Sequence, residues 1–116
     1  MNKIPYILLL LFLSACYYDN EEELYPRDQN CDLSKVTFAT TIKPIIAQNC
    51  AIPGCHVPGG TGSSNFQIYD ELKAKVDNGS FERRTIIEES MPPNRDLSAC
   101  DIDKLKTWLT NGARND

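Results

Sequence analysis

The chain has 116 residues and a formal net charge of −4 at pH 7, with 12 lysines and arginines against 16 aspartates and glutamates. This length allows one small domain. Proteins that bind DNA or RNA present a basic patch, and this acidic chain has none, so we expect no nucleic-acid partner.

The N-terminal residues 1–15 have the pattern of an export signal. A positive start at Lys3 precedes an almost wholly apolar run at 4–13, which is too short for a comfortable membrane span. Residues 13–16 (Leu-Ser-Ala-Cys) resemble the lipobox of bacterial lipoproteins. That resemblance implies a signal peptide that is cut before Cys16, and acylation of this cysteine. The alternative is an ordinary signal or a short anchor without lipid.

Acyl chains on Cys16 would hold the exported protein at a membrane surface, on the periplasmic side or at the cell surface. Residues 16–30 are predicted to be an acidic flexible tether, because they show no sustained period and include a charge run at 19–23. A flexible chain of that length has a root-mean-square reach on the order of 20 Å. The acidic run also resembles the surface-export signals of some gram-negative lipoproteins, and a merely solvated linker explains it equally well.

Residues 31–116 are predicted to form one helical domain. Thr37 can cap a first helix whose apolar positions recur at helical spacing. These positions are Phe38, Ile42, Ile45 and Ile46. Pro44 interrupts the pattern, so the helix either starts there, with proline in its first turn, or is kinked at that point. The apolar face leads directly into Cys50.

Three further segments have helical character. They span 66–78, 80–89 and 98–111. Asn78-Gly79 supplies a stop for the first of them. Ser98 and Asp101 form a capping pattern that opens the last. Because no segment alternates in the manner of a strand, the predicted fold class is all-α, a small domain of three to five short helices and long loops.

Residues 50–56 hold two thiols and an imidazole, in the order Cys50-Ala51-Ile52-Pro53-Gly54-Cys55-His56. A histidine directly after the second cysteine is the order used for covalent haem attachment, in which the cysteines form thioether bonds and the histidine reaches the iron. The usual spacer has two residues, and this chain has four. Pro53-Gly54 is expected to fold the two extra residues outward as a turn.

A count of ligand types points the same way. Beyond the predicted leader the chain has one histidine, His56, and one methionine, Met91. A low-spin haem with His/Met ligation needs one of each. Pro92 and Pro93 follow the methionine, fix φ and favour a stiff extended loop between two helical segments. Such a loop suits a thioether that must stay at a fixed distance from iron.

The five cysteines divide by predicted role into Cys16 for lipid, Cys50 and Cys55 for haem, and Cys31 and Cys100 as a remaining pair. In an oxidising compartment this last pair is expected to form a disulfide, which would close a loop of about 70 residues. Two free thiols, or metal ligation by the pair, stay open as alternatives.

Together, residues 37–114 resemble a small class I-type cytochrome c domain. The segments that carry the resemblance are Ile42-Lys43-Pro44-Ile45-Ile46, the Cys50/Cys55-His56 site, Met91-Pro92-Pro93, Leu105-Lys106-Thr107-Trp108-Leu109 and Gly112-Ala113. The resemblance implies helices around one covalent haem c, attached at Cys50 and Cys55. It implies His56 as the proximal ligand of the iron and Met91 as the distal ligand.

Apolar residues of the predicted helices and loops are expected to supply the wall of the haem pocket. The candidates are Pro44, Ile45, Phe66, Leu72, Ile87, Pro92 and Trp108. In the family the C-terminal helix packs against the N-terminal one, which would place Trp108 near the haem. Arg83 and Arg84 are candidate partners for a haem propionate, although surface arginines are also common.

The predicted function is that of a membrane-tethered monohaem cytochrome that passes single electrons between redox proteins. With both axial positions of the iron filled, no open site is left for a substrate, so we expect an electron carrier and not an enzyme. The protein would act as a freestanding carrier or as a haem subunit of a larger oxidoreductase. The sequence does not name its redox partner.

Two hypotheses without haem stay open. Cys50, Cys55 and His56 would make a structural zinc site with Cys31 or Cys100 as a fourth ligand. Alternatively, Cys50 and Cys55 form a local disulfide in a binding lipoprotein, and His56 is incidental.

Overall fold

A computed structural model describes residues 30–94 and 97–116 of the chain. The predicted leader, the lipidation site Cys16 and the tether up to residue 29 lie outside these described residues. Within the two described ranges, no helix has the length and apolar character needed to cross a membrane.

Four short α-helices joined by loops make up the described part of the chain, which contains no β-strand. The helices are α1 (Lys43–Asn49), α2 (Tyr69–Asp77), α3 (Ser80–Glu82) and α4 (Ala99–Thr110). A π-helical turn at Phe38–Ile42 precedes α1, and a second one at Arg83–Ile87 continues α3. The all-α prediction is confirmed.

The first helical segment begins at its predicted cap and changes its hydrogen-bonding pattern at the proline. The Thr37 hydroxyl accepts a hydrogen bond from the Thr40 N–H at 3.3 Å. The Lys43 N–H reaches back five residues to the Phe38 carbonyl. Pro44 then lies in the first turn of α1, where its missing N–H costs little. The chain therefore stays helical from Phe38 to Asn49 and has no break at the proline.

Helix α2 begins three residues later than the periodicity predicts, at Tyr69 instead of Phe66. The Asn65 side chain accepts a hydrogen bond from the Gln67 N–H at 3.0 Å, a local turn that competes with helix formation. The Asn65 N–H donates to the Glu71 carboxylate at 2.6 Å. Phe66 is thus held outside the helix, in the loop that precedes it.

The C-terminal helix α4 begins as predicted. The Ser98 hydroxyl accepts a hydrogen bond from the Asp101 N–H at 3.0 Å and caps the first turn. Beyond the C-terminal end of α4, the last residues of the chain contact the first helical segment. The Asp116 carboxylate accepts from the Phe38 N–H at 2.8 Å, and the Asp116 main-chain oxygen accepts from the Ala39 N–H at 2.8 Å.

An aromatic cluster of Phe38, Tyr69 and Trp108 joins the first helical segment, α2 and α4. The rings of Phe38 and Trp108 stack with their centroids 5.7 Å apart, and Tyr69 meets Phe38 edge-on at 5.0 Å. The Trp108 indole N–H donates to the Arg114 carbonyl at 2.9 Å, and the Tyr69 hydroxyl donates to the Ala113 carbonyl at 2.7 Å. The packed core therefore lies where the two ends of the domain meet.

Cys31 and Cys100 are joined by a disulfide across 69 residues of chain. It fastens the start of the described domain to the first turn of α4. In the chain-entropy model, closing a loop of this length stabilises the native state by about 4 kcal/mol.

We expect a Cys31→Ala/Cys100→Ala double variant to lose about 4 kcal/mol of unfolding free energy, because its unfolded chain is no longer restrained. Urea denaturation followed by circular dichroism measures this difference. The urea midpoint of the double variant should match that of the wild-type protein under reducing conditions. A midpoint equal to that of the oxidised wild-type protein would contradict the prediction.

Candidate functional site

The four-residue spacer between the cysteines is accommodated by a turn. The Cys55 N–H donates to the Ile52 carbonyl at 3.0 Å, and Gly54 has φ +85°. Proline followed by a residue with positive φ is the pattern of a type II turn. Pro53 and Gly54 are exposed at its tip. The turn returns the chain to the end of α1, as the sequence predicts.

The backbones of the cysteine and histidine residues remain adjacent across this turn. The Cys50 N–H donates to the Ile46 carbonyl at 2.8 Å, which ties Cys50 to the last turn of α1. The His56 N–H then donates to the Cys50 carbonyl at 3.1 Å. The first cysteine and the histidine are thus connected by a direct hydrogen bond.

The His56 imidazole is held on two sides. Its Nδ1 lies 3.1 Å from the Ser64 carbonyl oxygen. A carbonyl can only accept, so Nδ1 carries a proton, and in the neutral imidazole the lone pair is then on Nε2. The Phe66 ring lies face to face with the imidazole, at a centroid distance of 4.0 Å and an interplanar angle of 3°. This is the tautomer and the restraint that a metal-ligating Nε2 requires.

A glycine-containing loop wraps closely around these residues. A Cβ atom at Gly60 would lie 2.0 Å from the Cys55 carbonyl oxygen, and a Cβ atom at Gly62 would lie 2.5 Å from His56 Nδ1. The Gly62 N–H donates to the Cys55 carbonyl at 3.1 Å. The loop reaches the imidazole only because both positions lack a side chain.

We expect Gly60→Ala to destabilise the protein more than Gly54→Ala. The Gly60 variant forces a methyl group into the Cys55 backbone, with a loss of about 3 kcal/mol, the upper end of the range for overpacking. At Gly54 a Cβ meets nothing within 4 Å, so only the left-handed backbone conformation opposes it, at roughly 1–2 kcal/mol. Urea denaturation of the two variants gives both losses. An equal or smaller loss for Gly60→Ala would contradict the close approach.

Both cysteines of the motif are free thiols, Cys50 buried and Cys55 half-buried. Burial raises the pKa of the Cys50 thiol to about 11, and the neighbouring Cys55 adds to the shift. Cys50 therefore carries its proton at neutral pH.

The methionine loop is hydrogen-bonded to the start of the second π-helical turn. The Arg84 carbonyl accepts hydrogen bonds from the Ser90 N–H at 2.8 Å and from the Met91 N–H at 3.1 Å. The peptide bond between Met91 and Pro92 is cis, and Pro92 is buried. The backbone of Met91 is thus fixed relative to the helical segment that precedes it.

One cavity of about 650 Å³ brings the four predicted donors together: Cys50, Cys55, His56 and Met91 all line it. Its volume is typical of a cofactor site. Two of the predicted wall residues, Phe66 and Pro92, also line it. The methionine comes from a loop 35 residues beyond the histidine, so only the packing of the helices places the two in one cavity.

The other five predicted wall residues do not line this cavity. Three of them, Ile45, Leu72 and Trp108, are buried in the packed core. The remaining two are exposed, Pro44 on α1 and Ile87 with 71% of its surface accessible. Helical periodicity correctly predicted that Ile45, Leu72 and Trp108 are buried. They are buried in the packed core and not around the cavity.

The cavity lining is cationic and includes one lysine that the sequence did not predict. Arg83 and Arg84, the candidate propionate partners, line the cavity together with Lys75. Lys75 lies on α2 and gave no signal in the sequence, because only tertiary packing brings it to the same cavity as the two arginines. No described residue of the cavity lining is acidic. Arg83 also pairs with the Glu88 carboxylate at 3.6 Å, so its charge is partly offset beside the cavity. Although the chain has a net charge of −4, the lining is cationic and suits a ligand with anionic groups.

Ile52 and Phe81 are further apolar lining residues that the sequence analysis did not single out. Ile52 lies inside the predicted attachment motif, and Phe81 falls on the apolar side of the third predicted helix, so periodicity offered a weak signal. Phe81 meets Phe66 edge-on, with the ring centroids 6.2 Å apart. The two phenylalanines form an apolar wall that continues from the imidazole.

Comparison of the chain with models of known protein families, with curated protein sequences and with solved structures found no match. The residues that line the cavity include two cysteines with free thiols, the histidine and the methionine. The described residues contain no cluster of three or more histidine, cysteine, aspartate or glutamate side chains that could hold a metal ion.

Proposed function

We propose that the protein is a monohaem c-type cytochrome that carries single electrons between redox proteins. The observation that carries this proposal is the single cavity lined by Cys50, Cys55, His56 and Met91. These are the side chains that covalent attachment and His/Met axial ligation need. The cationic lining of the cavity is the complement of the carboxylates that a haem carries.

The two cysteines would attach the haem. Each thiol would add across one vinyl group of the haem, with the sulfur bonded to one vinyl carbon and the thiol hydrogen transferred to the other. Cys50 is held by the last turn of α1, and Cys55 follows the Pro53-Gly54 turn. Both are free thiols, which this addition requires.

His56 and Met91 would be the axial ligands. In the neutral imidazole Nε2 would have the lone pair for this role, because Nδ1 donates to the Ser64 carbonyl. Bound in this cavity, haem iron would supply a one-electron couple. A thioether ligand and a cavity with an apolar wall of Ile52, Phe66 and Phe81 favour the ferrous state and a raised reduction potential. With both axial positions taken by the protein, the proposed role is electron transfer without substrate chemistry.

The proposed location is a membrane surface. The predicted lipid on Cys16 and the acidic tether would let the domain reach a redox partner at that surface, as a freestanding carrier or as a haem subunit of a larger oxidoreductase.

The state of the four described cysteines favours haem over the two hypotheses without it. Cys31 and Cys100, the additional ligands that a zinc site would need, are bonded to each other. Cys50 and Cys55 are free thiols and do not form the local disulfide that the binding-lipoprotein hypothesis requires. The haem hypothesis accounts for both observations and for the position of Met91.

The test is expression of the full-length chain with a cytochrome c maturation system, followed by optical spectra with and without dithionite. The same sample is run on a denaturing gel stained for haem peroxidase activity. We expect sharp bands in the reduced spectrum and a stain that survives denaturation. A Cys50→Ala/Cys55→Ala variant is the matched control and should lose the stain.

Colourless protein from the heterologous host and also from its native membrane would refute the proposal. Zinc analysis and intact mass would then separate the two remaining hypotheses, because bound zinc is found by metal analysis and each disulfide lowers the mass by two hydrogens.

A further inference from the structure

The face-to-face contact between His56 and Phe66 is closer and more nearly parallel than the other ring contacts of the described residues. Its centroid distance is 4.0 Å and its interplanar angle 3°, whereas the remaining pairs lie at 5.0–6.2 Å with angles of 29–73°. Parallel overlap of this kind fixes the plane of a ring, since tilting either ring separates the two faces.

Phe66 is itself firmly placed. Its side chain is 8% exposed, and its ring meets Phe81 edge-on. Its N–H donates to the His56 carbonyl at 3.0 Å, so backbone and side chain both connect it to the histidine. The Asn65 turn holds Phe66 outside α2, where it faces the imidazole. A ring restrained in this way can restrain the ring beside it.

The hydrogen bond from Nδ1 to Ser64 leaves one motion of the imidazole open. A hydrogen bond to a carbonyl tolerates a broad range of angles, and the outer torsion of a histidine side chain is soft. The bond therefore selects the tautomer but leaves the ring free to rock about the Cβ–Cγ bond. The phenyl face of Phe66 opposes that rocking, and Gly62 leaves room for the imidazole edge.

We infer that Phe66 is a positioning residue that fixes the ring plane of His56, and with it the direction of the Nε2 lone pair in the cavity. This inference rests on the proposed function. Phe66 does not touch the iron in this role; it acts through the histidine. Because the orientation of an axial imidazole sets its overlap with the iron orbitals, loss of the stack would change the ferric electron paramagnetic resonance spectrum and the reduction potential.

The experiment compares full-length wild-type protein, as isolated, with Phe66→Leu and Phe66→Tyr. Leucine keeps an apolar side chain but has no flat face, and tyrosine restores the face. Phe38→Leu is the matched control, since Phe38 is a buried phenylalanine that stacks on Trp108 and does not line the cavity. The chain has one histidine, so the His56 ring protons are assigned without ambiguity in nuclear magnetic resonance spectra.

We expect contacts between the ring protons of His56 and Phe66 in the wild-type spectrum of the reduced protein. Phe66→Leu should shift the His56 protons downfield, change the g values of the ferric protein and shift its reduction potential. Phe66→Tyr should restore all three, and Phe38→Leu should leave the g values unchanged.

Haem-loaded wild-type protein whose g values and potential are the same in Phe66→Leu would overturn the positioning role and leave the proposed function intact. Wild-type protein without haem would refute the proposed function instead. If Phe66→Leu does not fold, the positioning role is tested by the ring–ring contacts in the wild-type protein and by the wild-type g values and potential expected for Phe66→Tyr. Absence of the ring–ring contacts would show that Phe66 does not stack on His56.

Discussion

Met91→Ala is expected to retain covalent haem, lose the low-spin ferric spectrum and shift the reduction potential to a lower value. In the proposed cytochrome the bonds to haem would depend on Cys50 and Cys55, which the substitution leaves in place. The distal ligand would be Met91, the one methionine beyond the predicted leader. Loss of the methionine thioether would remove a ligand that stabilises ferrous iron. Axial ligands set haem potentials over roughly 0.8 V, and we expect a fall of a tenth of that range or more.

A redox titration with optical detection measures the potential, and the ferric spectrum reports the spin state. Pro93→Ala is the matched control, because Pro93 lines the cavity beside the methionine but offers no ligand atom. The control should keep the wild-type spectrum. A Met91→Ala protein with unchanged potential and spin state would show that the distal ligand comes from elsewhere.

Trp108→Ala is expected to cost about 3–5 kcal/mol of unfolding free energy, as typical for removal of a large buried aromatic side chain. Trp108 is 1% exposed, stacks on Phe38 and donates its indole N–H to the Arg114 carbonyl. The substitution removes the ring that joins α4 to the first helical segment. Urea denaturation followed by circular dichroism gives the loss.

Trp108→Phe is the control for size and aromatic character, and it should recover most of the lost stability while lacking the indole hydrogen bond. Because Trp108 lies outside the cavity, the folded Trp108→Ala protein should keep the wild-type haem bands and reduction potential. A potential shifted as far as in Met91→Ala would mean that Trp108 reaches the haem, as the family resemblance implies.

The local features of the fold were accessible from the sequence because their interactions span only a few residues. The caps at Thr37 and Ser98, the turn at Pro53-Gly54 and the all-α class each depend on near neighbours in the chain. Helix boundaries were less predictable where a side chain formed a local hydrogen bond that competes with the helix. The Asn65 side chain does so, and α2 therefore begins only at Tyr69.

The donor set of the candidate site was also accessible from the sequence, since it rests on residue types, their order and a count. The sequence did not show which apolar residues pack against other helices and which line the cavity. Helical periodicity marks Ile45, Leu72 and Trp108 as buried, but burial against another helix and burial around a ligand produce the same pattern. In the structure these three are buried away from the cavity, and its apolar lining includes Ile52, Phe66 and Phe81.

By itself, the sequence determined the fold class and the local caps and turns, and it predicted the four residues proposed to hold a haem. Only the tertiary structure decided that Met91 shares a cavity with His56, that Lys75 joins Arg83 and Arg84 there, and that Phe66 stacks on the imidazole. The physical reason is that each of these juxtapositions depends on how separate segments pack together. A sequence specifies that packing through all of its contacts at once and not through any short stretch.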